Sequence, residues 1–301
     1  INTGAFALLS AALPPGSDTH RRRIAAEAAI RGMVVSSAWS PFFVAFAIGQ
    51  IFVTPAYAWM AIALGTVSAF LFMVVTIVGL HRGFKGTELR QSLACLGPVA
   101  SRLAAVLAAV LVVAVVLELT ALSAVVTVMP LLVLIQMLRH REKVTVIIAD
   151  TCDAMNKTAD DIVVITAAML VAFFAISSAS LASMVAGIYS DVIPGWIALP
   201  AVPIMMMLLS VIGIHPVITS TTLLAIFSGG GADVHPALLV QAHLVGWGAG
   251  TMSSVASLSV LSCATLYRVP TRQLVFGANI ISGLGYAVVG GVGLALINML
   301  I

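Results

Sequence analysis

Long apolar runs recur along the chain, and none shows the two-residue alternation of a half-buried strand. A helix needs about 20 apolar residues to cross the hydrocarbon core of a membrane. The pattern therefore predicts an all-α chain of membrane-crossing helices. Residues 32–53 form one candidate span, interrupted by Ser36-Ser37-Ala38-Trp39-Ser40-Pro41. Residues 57–80 form a cleaner one, with Tyr57 and Trp59 placed as interfacial anchors. The run 103–138 is too long for one crossing and divides at Glu118-Leu119-Thr120. Residues 162–180 follow Asp160-Asp161, a helix-start signal. The run 196–227 is broken at Gly213-Ile214-His215-Pro216, and 236–267 at Gly246-Trp247-Gly248-Ala249-Gly250-Thr251. Residues 273–301 close the chain.

Charge gives these spans a direction. All 14 Lys and Arg residues fall in four clusters, 21–31, 82–102, 139–157 and 268–272. The turns near Thr54, Glu118, Asp191 and Asp233 contain none. Cytoplasmic loops collect Lys and Arg, and counting crossings from one cluster to the next puts every cluster on the inner side. The count holds if 196–228 leaves and returns to the same side. Its second arm, Val217 to Ser228, rises only about 18 Å against a core of about 30 Å, so we expect a re-entrant hairpin.

Composition agrees with a membrane chain. The sequence is 61% hydrophobic and 8% charged, whereas soluble domains carry about 25% charged residues. The net charge of +3 follows topology and forms no nucleic-acid patch. Cys95, Cys152 and Cys263 are far apart and lack metal-ligand spacing, so free thiols are expected. Asn156-Lys157-Thr158 matches a glycosylation sequon but lies on the expected inner side.

Three breaks place Gly, Pro, Ser and Thr at bilayer depth: 36–41, 213–222 and 246–254. A fourth opens the chain at Asn2-Thr3-Gly4, ahead of one apolar arm and the Pro14-Pro15-Gly16 turn. Broken backbone at that depth is tolerated where it is buried in protein or lines a wet cavity. Packing glycines and hydroxyls bonded back to their own helices are the bland explanation for any one break. Their order adds weight. A half-hairpin precedes a broken helix, and later a hairpin precedes a second broken helix, entered from the opposite face. That is the inverted-repeat layout of secondary transporters, with discontinuous helices meeting at the midplane.

His215 is the one ionisable residue expected deep in the membrane, and such a group is a functional candidate. A neutral His bonded to a hairpin carbonyl is the alternative. His235 and His243 are expected near the outer surface, without chemistry. Gly283, Gly285, Gly290, Gly291 and Gly293 suit close helix packing rather than a nucleotide site, because no strand precedes them. No hydrolase triad order, HExxH motif or paired carboxylate falls at depth, so an enzyme is not expected.

The layout resembles the ion transporter superfamily, which includes the divalent-anion/sodium symporters and the large membrane subunit of TRAP transporters. Asn2-Thr3-Gly4-Ala5 is similar to that family's inner hairpin tip without its leading Ser. Gly213-Ile214-His215-Pro216-Val217 is similar to the Gly-Ile-Asp-Pro-Val stretch of the TRAP outer hairpin, with His in place of Asp. Residues 246–254 and the tail through Val269-Pro270 and Arg272 resemble the second broken helix and last span. Ser36 to Pro41 occupies the place of the first broken helix, but the family's usual Pro pair is absent. The resemblance implies a scaffold and a transport domain working as an elevator, and an N-terminal part of the protein ahead of Ile1.

The expectation is therefore a polytopic helical protein of the inner membrane with inverted repeats, a re-entrant hairpin and discontinuous helices. Residues 1–80 would hold the C-terminal part of the first repeat and 81–102 a cytoplasmic linker. Residues 103–301 would hold the second repeat, with its hairpin at 196–228 and its broken helix at 236–267. The expected function is secondary transport of a small organic or inorganic anion, coupled to Na⁺ or H⁺. Asn2, Thr3, Ser36 and Ser37 would form one half of the substrate site. His215, Thr219, Ser220, Gly250, Thr251, Ser253 and Ser254 would form the other. A coupling Na⁺ would sit near Asn2, Gly4, Ser37, Gly248 and Thr251, with no other cofactor. The expected partners are the anion and the lipid bilayer; a homodimer is allowed and nucleic acid is not expected. A membrane-embedded enzyme and a structural membrane subunit are the competing classes.

Overall fold

The computed structural model describes residues 6, 9, 10, 13, 16–41, 43–80, 101, 104–119, 121–153, 163, 166, 170, 173, 174, 193–228 and 232–301. Asn2, Thr3 and Gly4 lie outside them, as do most of the expected linker and most of the expected span 162–180. The described chain is mostly helical. By length and composition, three of its helices can cross a membrane: Thr19–Phe52 counted through its interruption, Ala56–Gly79 and Ala278–Asn298. The chain forms two compact units, 1–76 with 168–301, and 77–167.

In the first unit, α1 (Thr19–Trp39) starts where the Asp18 carboxylate accepts from Arg21 N at 2.8 Å. It stops at Ser40-Pro41, because proline cannot donate and disfavours helix in the residue before it. Helix resumes as α2 (Val44–Phe52), and α3 (Pro55–Leu80) follows directly. In the second unit, α4 (Ala104–Val116) turns at Glu118, whose φ is +52°, into α5 (Ala121–Arg139). A 3₁₀ turn at Arg141–Lys143 then leads into α6, residues 144–153. Large apolar side chains on both sides of the Glu118 turn are exposed, Val112 and Val116 before it and Leu134 and Leu138 after it.

The rest of the first unit is built on α9 (Pro236–Met252). Every residue from Ala237 to Gly250 is buried, and so is Met252. Against it lie α7 (Gly195–Val211), α8 (Pro216–Ile226), α1, α2 and the last long helix, α12 (Ala278–Asn298). Two short helices, α10 (Leu258–Tyr267) and α11 (Thr271–Val275), connect α9 to α12. A helix with no polar face needs neighbours on all sides, and α9 gets them.

Two strands of two residues each, β1 (Ile193–Pro194) and β2 (Ala232–Asp233), pair in parallel. The excursion through α7 and α8 therefore begins and ends at one level. Asn298 is at that level too: its Oδ1 accepts from His235 N at 2.9 Å, and its Nδ2 donates to Asp233 O at 3.1 Å. Tyr57, at the start of α3, stacks edge-on against His235, with ring centroids 5.1 Å apart. None of these segments carries Lys or Arg. At the opposite end Arg22 and Arg268 line one depression, and Arg23 and Glu27 approach Gly277.

The second interruption lies elsewhere than expected. Gly246, Gly248 and Gly250 are inside continuous helix, and the break falls at 253–257. The glycines serve close approach. A methyl group on Gly246 would lie 2.8 Å from Pro203 Cα, and one on Gly248 would lie 2.9 Å from Val34 Cγ1. The first interruption is likewise displaced, since Ser36 and Ser37 are still helical and the break begins at Ser40.

Candidate functional site

Four helix ends meet in the first unit: α1, α7 and α9 stop there, and α8 starts there. Their proximity is fixed by contacts between elements. A methyl on Gly248 would lie 3.0 Å from Ser37 Oγ, and one on Gly250 would lie 2.6 Å from Ser210 Oγ. The rings of His215 and Trp247 stand edge to face, 6.2 Å between centroids. The α7–α8 turn is held by Gly213, whose φ of +94° suits a residue without Cβ. Gly213 N donates to Ser210 O at 3.1 Å and Ile214 N to Leu209 O at 3.0 Å, closing the α7 C-terminus. Stopping ends present carbonyls with partial negative charge, and starting ends present amides with partial positive charge. One interior region thus offers both signs without a carboxylate among its described residues.

The hydroxyls divide by what they have left to offer. Ser36 Oγ donates to Met33 O at 2.7 Å, and Ser37 Oγ to Val34 O at 2.8 Å. Thr251 Oγ1 donates to Trp247 O at 2.9 Å. A hydroxyl whose proton is bonded back to its helix keeps only lone pairs, so these three accept and suit a cation. Ser254 Oγ accepts from Ala256 N at 3.3 Å and shapes the break. Thr219 Oγ1 and Ser253 Oγ are buried with no hydrogen-bond partner. Both keep a proton to give, as does Ser254, whose Oγ accepts in the one bond it makes. Ser253 Oγ lies 2.6 Å from where a methyl on Gly283 would sit.

His215 caps α8: its Nδ1 accepts from Val217 N at 3.2 Å. Accepting there puts the ring proton on Nε2 and makes the side chain a structural cap as well as a half-buried wall of the region.

The sequence reading missed His243. Expected near the surface and without chemistry, it is fully buried. Its Nε2 lies 2.7 Å from Ala45 O and its Nδ1 lies 2.8 Å from Ser220 Oγ. A carbonyl can only accept, so Nε2 donates and the neutral ring takes its second bond from the Ser220 hydroxyl. One side chain of α9 thereby ties α2 to α8. Trp247 lies one turn along the same face, 5.8 Å from the His243 ring. Nothing in the local sequence separates His243 from a surface His; the signal is that its whole helix lacks a polar face.

His215 is only half-buried, and further ionisable groups besides His243 are buried. Glu27 and Arg31 are buried on α1. Arg23 Nε donates to Glu27 Oε1 at 2.9 Å, and Arg31 Nη1 to Asn279 Oδ1 at 3.0 Å. This network joins α1 to α12 nearer the basic end. Gln50 and Gln241 have buried amides with no hydrogen-bond partner, and the Gln241 Oε1 would be 3.0 Å from a methyl on Gly65. Among the described residues no group of three His, Cys, Asp or Glu could hold a metal ion. Cys152 and Cys263 are free thiols.

No protein-family model, curated protein or solved structure matches this chain.

Proposed function

We propose that this chain is a membrane permease that moves a small anion across the inner membrane, coupled to Na⁺ or H⁺. The observation that carries the reading is the meeting of four helix ends in an apolar bundle that also holds two buried hydroxyls without a hydrogen-bond partner, Thr219 and Ser253. Polar groups left open in such an interior are costly without a ligand. The positive dipole end of α8, with the Thr219 and Ser253 hydroxyls, suits an anion. The carbonyl ends of α1 and α9, with the lone pairs of Ser37 and Thr251, suit a cation of the Na⁺ type. The end of the unit rich in arginine faces the cytoplasm, and the end holding Tyr57, Asp233 and Asn298 faces outward. The α7–α8 pair is then a re-entrant hairpin and the two interrupted helices are transmembrane, in the manner of an inverted repeat.

Uptake into proteoliposomes tests this. Full-length protein is reconstituted and challenged with radiolabelled small carboxylates, sulfonates, sulfate and phosphate under an imposed Na⁺ or pH gradient. At least one anion accumulates, and Thr219→Val and Ser253→Ala lower its uptake at least ~10-fold if each loses one hydrogen bond of about 1.5 kcal/mol to a charged ligand. Absence of gradient-driven uptake for every anion overturns the proposal. Uptake driven only by the pH gradient and lost in His215→Gln assigns the coupling to H⁺, and Na⁺-driven uptake that survives His215→Gln assigns it to Na⁺.

A further inference from the structure

Two adjoining depressions on the first unit together have the shape and polarity of an amphiphile. The first, about 230 Å³, lies at the basic end and is lined by Arg22, Arg268, Ser17, Leu13 and the Tyr267 side. The second, about 480 Å³, is almost wholly apolar and runs along α1. Its floor is Ala25, Ala28, Ala29, Gly32 and Met33, which recur at three- and four-residue steps on one helix face, and it ends at Ser36. Tyr267 lines both, so the apolar trough adjoins the basic mouth. From residue 25 to 36 the trough is about 16 Å long, close to half of a ~30 Å hydrocarbon core. Among the described residues no carboxylate lies within salt-bridge distance of Arg22 or Arg268.

The backbone at Arg268 adds a separate observation. Arg268 ends α10 in the left-handed region, with φ +55°. Val269 N donates to Ala264 O at 3.0 Å across it, the closing bond of a helix end that favours glycine. A side chain at such a position is strained, and here it delivers a guanidinium to the mouth.

We propose that this groove is a binding site for one anionic phospholipid of the basic leaflet. Its phosphate lies between Arg22 and Arg268, and one acyl chain fills the trough along α1. Charge complementarity selects the headgroup, and the continuous apolar trough selects a lipid over a free anion. The inference rests on the chain lying in a membrane and not on transport, so it stands or falls separately from the permease reading.

Native mass spectrometry of the full-length protein, purified in mild detergent, tests it. The expected spectrum carries an adduct with the mass of an anionic phospholipid. After delipidation, phosphatidylglycerol rebinds and phosphatidylcholine binds at least ~10-fold more weakly. Arg22→Gln with Arg268→Gln weakens phosphatidylglycerol about 30-fold, from roughly 1 kcal/mol for each arginine. Gly32→Phe weakens it from the other end, since a Cβ at Gly32 meets nothing within 4 Å and the ring would occupy the trough. Arg268→Gly separates binding from folding: it loses lipid affinity while its thermal midpoint is kept or raised, as relief of the left-handed strain requires. The proposal is overturned if phosphatidylcholine binds equally, or if the double arginine variant and Gly32→Phe both bind like the wild type. It is also overturned if millimolar inorganic phosphate displaces the ligand and Gly32→Phe has no effect, which marks a site for a free anion. Cross-linking from a photoreactive residue at Ala28 to another part of the same chain, with no lipid captured, overturns it too.

Discussion

A single imidazole holds the centre of the first unit. His243 makes both of its hydrogen bonds inside the protein, to Ala45 O and Ser220 Oγ, and is wholly out of solvent. Replacing it with Leu keeps the volume but leaves the Ala45 carbonyl and the Ser220 hydroxyl without partners. Each orphaned buried group costs about 1–3 kcal/mol, so His243→Leu should lower stability by about 2–6 kcal/mol. The readout is the thermal midpoint in detergent, with Ser220→Ala losing less because only one bond goes. Equal midpoints for His243→Leu and wild type would mean the two bonds contribute nothing. His215 shows the other side of residue-scale reading. Its place before Pro216 made it visible from the sequence, and the structure adds that its Nδ1 is already occupied by Val217 N. His243 stayed invisible because burial of a helical residue is set by what surrounds the helix, and no local pattern encodes that.

At the scale of elements, glycine has two uses that look alike in sequence. Gly246, Gly248 and Gly250 suggested a break, yet α9 runs straight through them. In an apolar environment association depends on close contact between backbones, so glycine on a helix is often a contact surface and not an interruption. The actual break is at 253–257, where Ser254 Oγ takes the Ala256 amide in place of a helix carbonyl. Alanine substitutions distinguish the two uses. Gly246→Ala and Gly291→Ala would push a methyl to 2.8 Å from Pro203 Cα and 2.7 Å from Pro200 Cα, and neither backbone can yield cheaply. They should lose about 1–3 kcal/mol as overpacked sites. Gly285→Ala and Gly293→Ala meet nothing and should be neutral or gain up to about 1 kcal/mol of helix propensity. Denaturation monitored by circular dichroism ranks them. A flat ranking across the four would remove the close-contact argument. The turn at Glu118 and the α7–α8 turn were both legible, because charge in one case and Gly-Ile-His-Pro in the other leave little choice.

At the scale of the whole molecule, the distribution of arginine was the most readable property. A rule about loops fixed the expected sidedness before any contact was known. In the first unit the arginine-free segments at Tyr57, Pro194, Asp233 and Asn298 do share one end. Single cysteines in a background without Cys95, Cys152 and Cys263 test the sidedness in intact cells with an impermeant thiol reagent. Thr54→Cys and Ser190→Cys should label from outside, and Thr19→Cys and Thr271→Cys only after lysis. External labelling of Thr271→Cys would reverse the orientation. What the sequence did not reveal at this scale is which helix lies in the middle. That depends on contacts between segments far apart in the chain, such as Gly248 with Val34 and Gly290 with Val245.

The two-residue pairing of β1 with β2 bears on the order of assembly. It closes a loop of about 40 residues with very few bonds. Bringing the ends of such a loop together costs about 3 kcal/mol in chain entropy, more than two or three net backbone bonds at about 1 kcal/mol each return. The clasp is therefore too weak to organise the hairpin and forms only after α7 and α8 have docked on α9. It acts as a completion mark: its amides should become protected from hydrogen exchange last, and should lose protection whenever the hairpin lifts from α9. During synthesis the same dependence leaves residues 193–235 unlatched until α9 has emerged, so a chain cut before Pro236 should expose this segment to proteases.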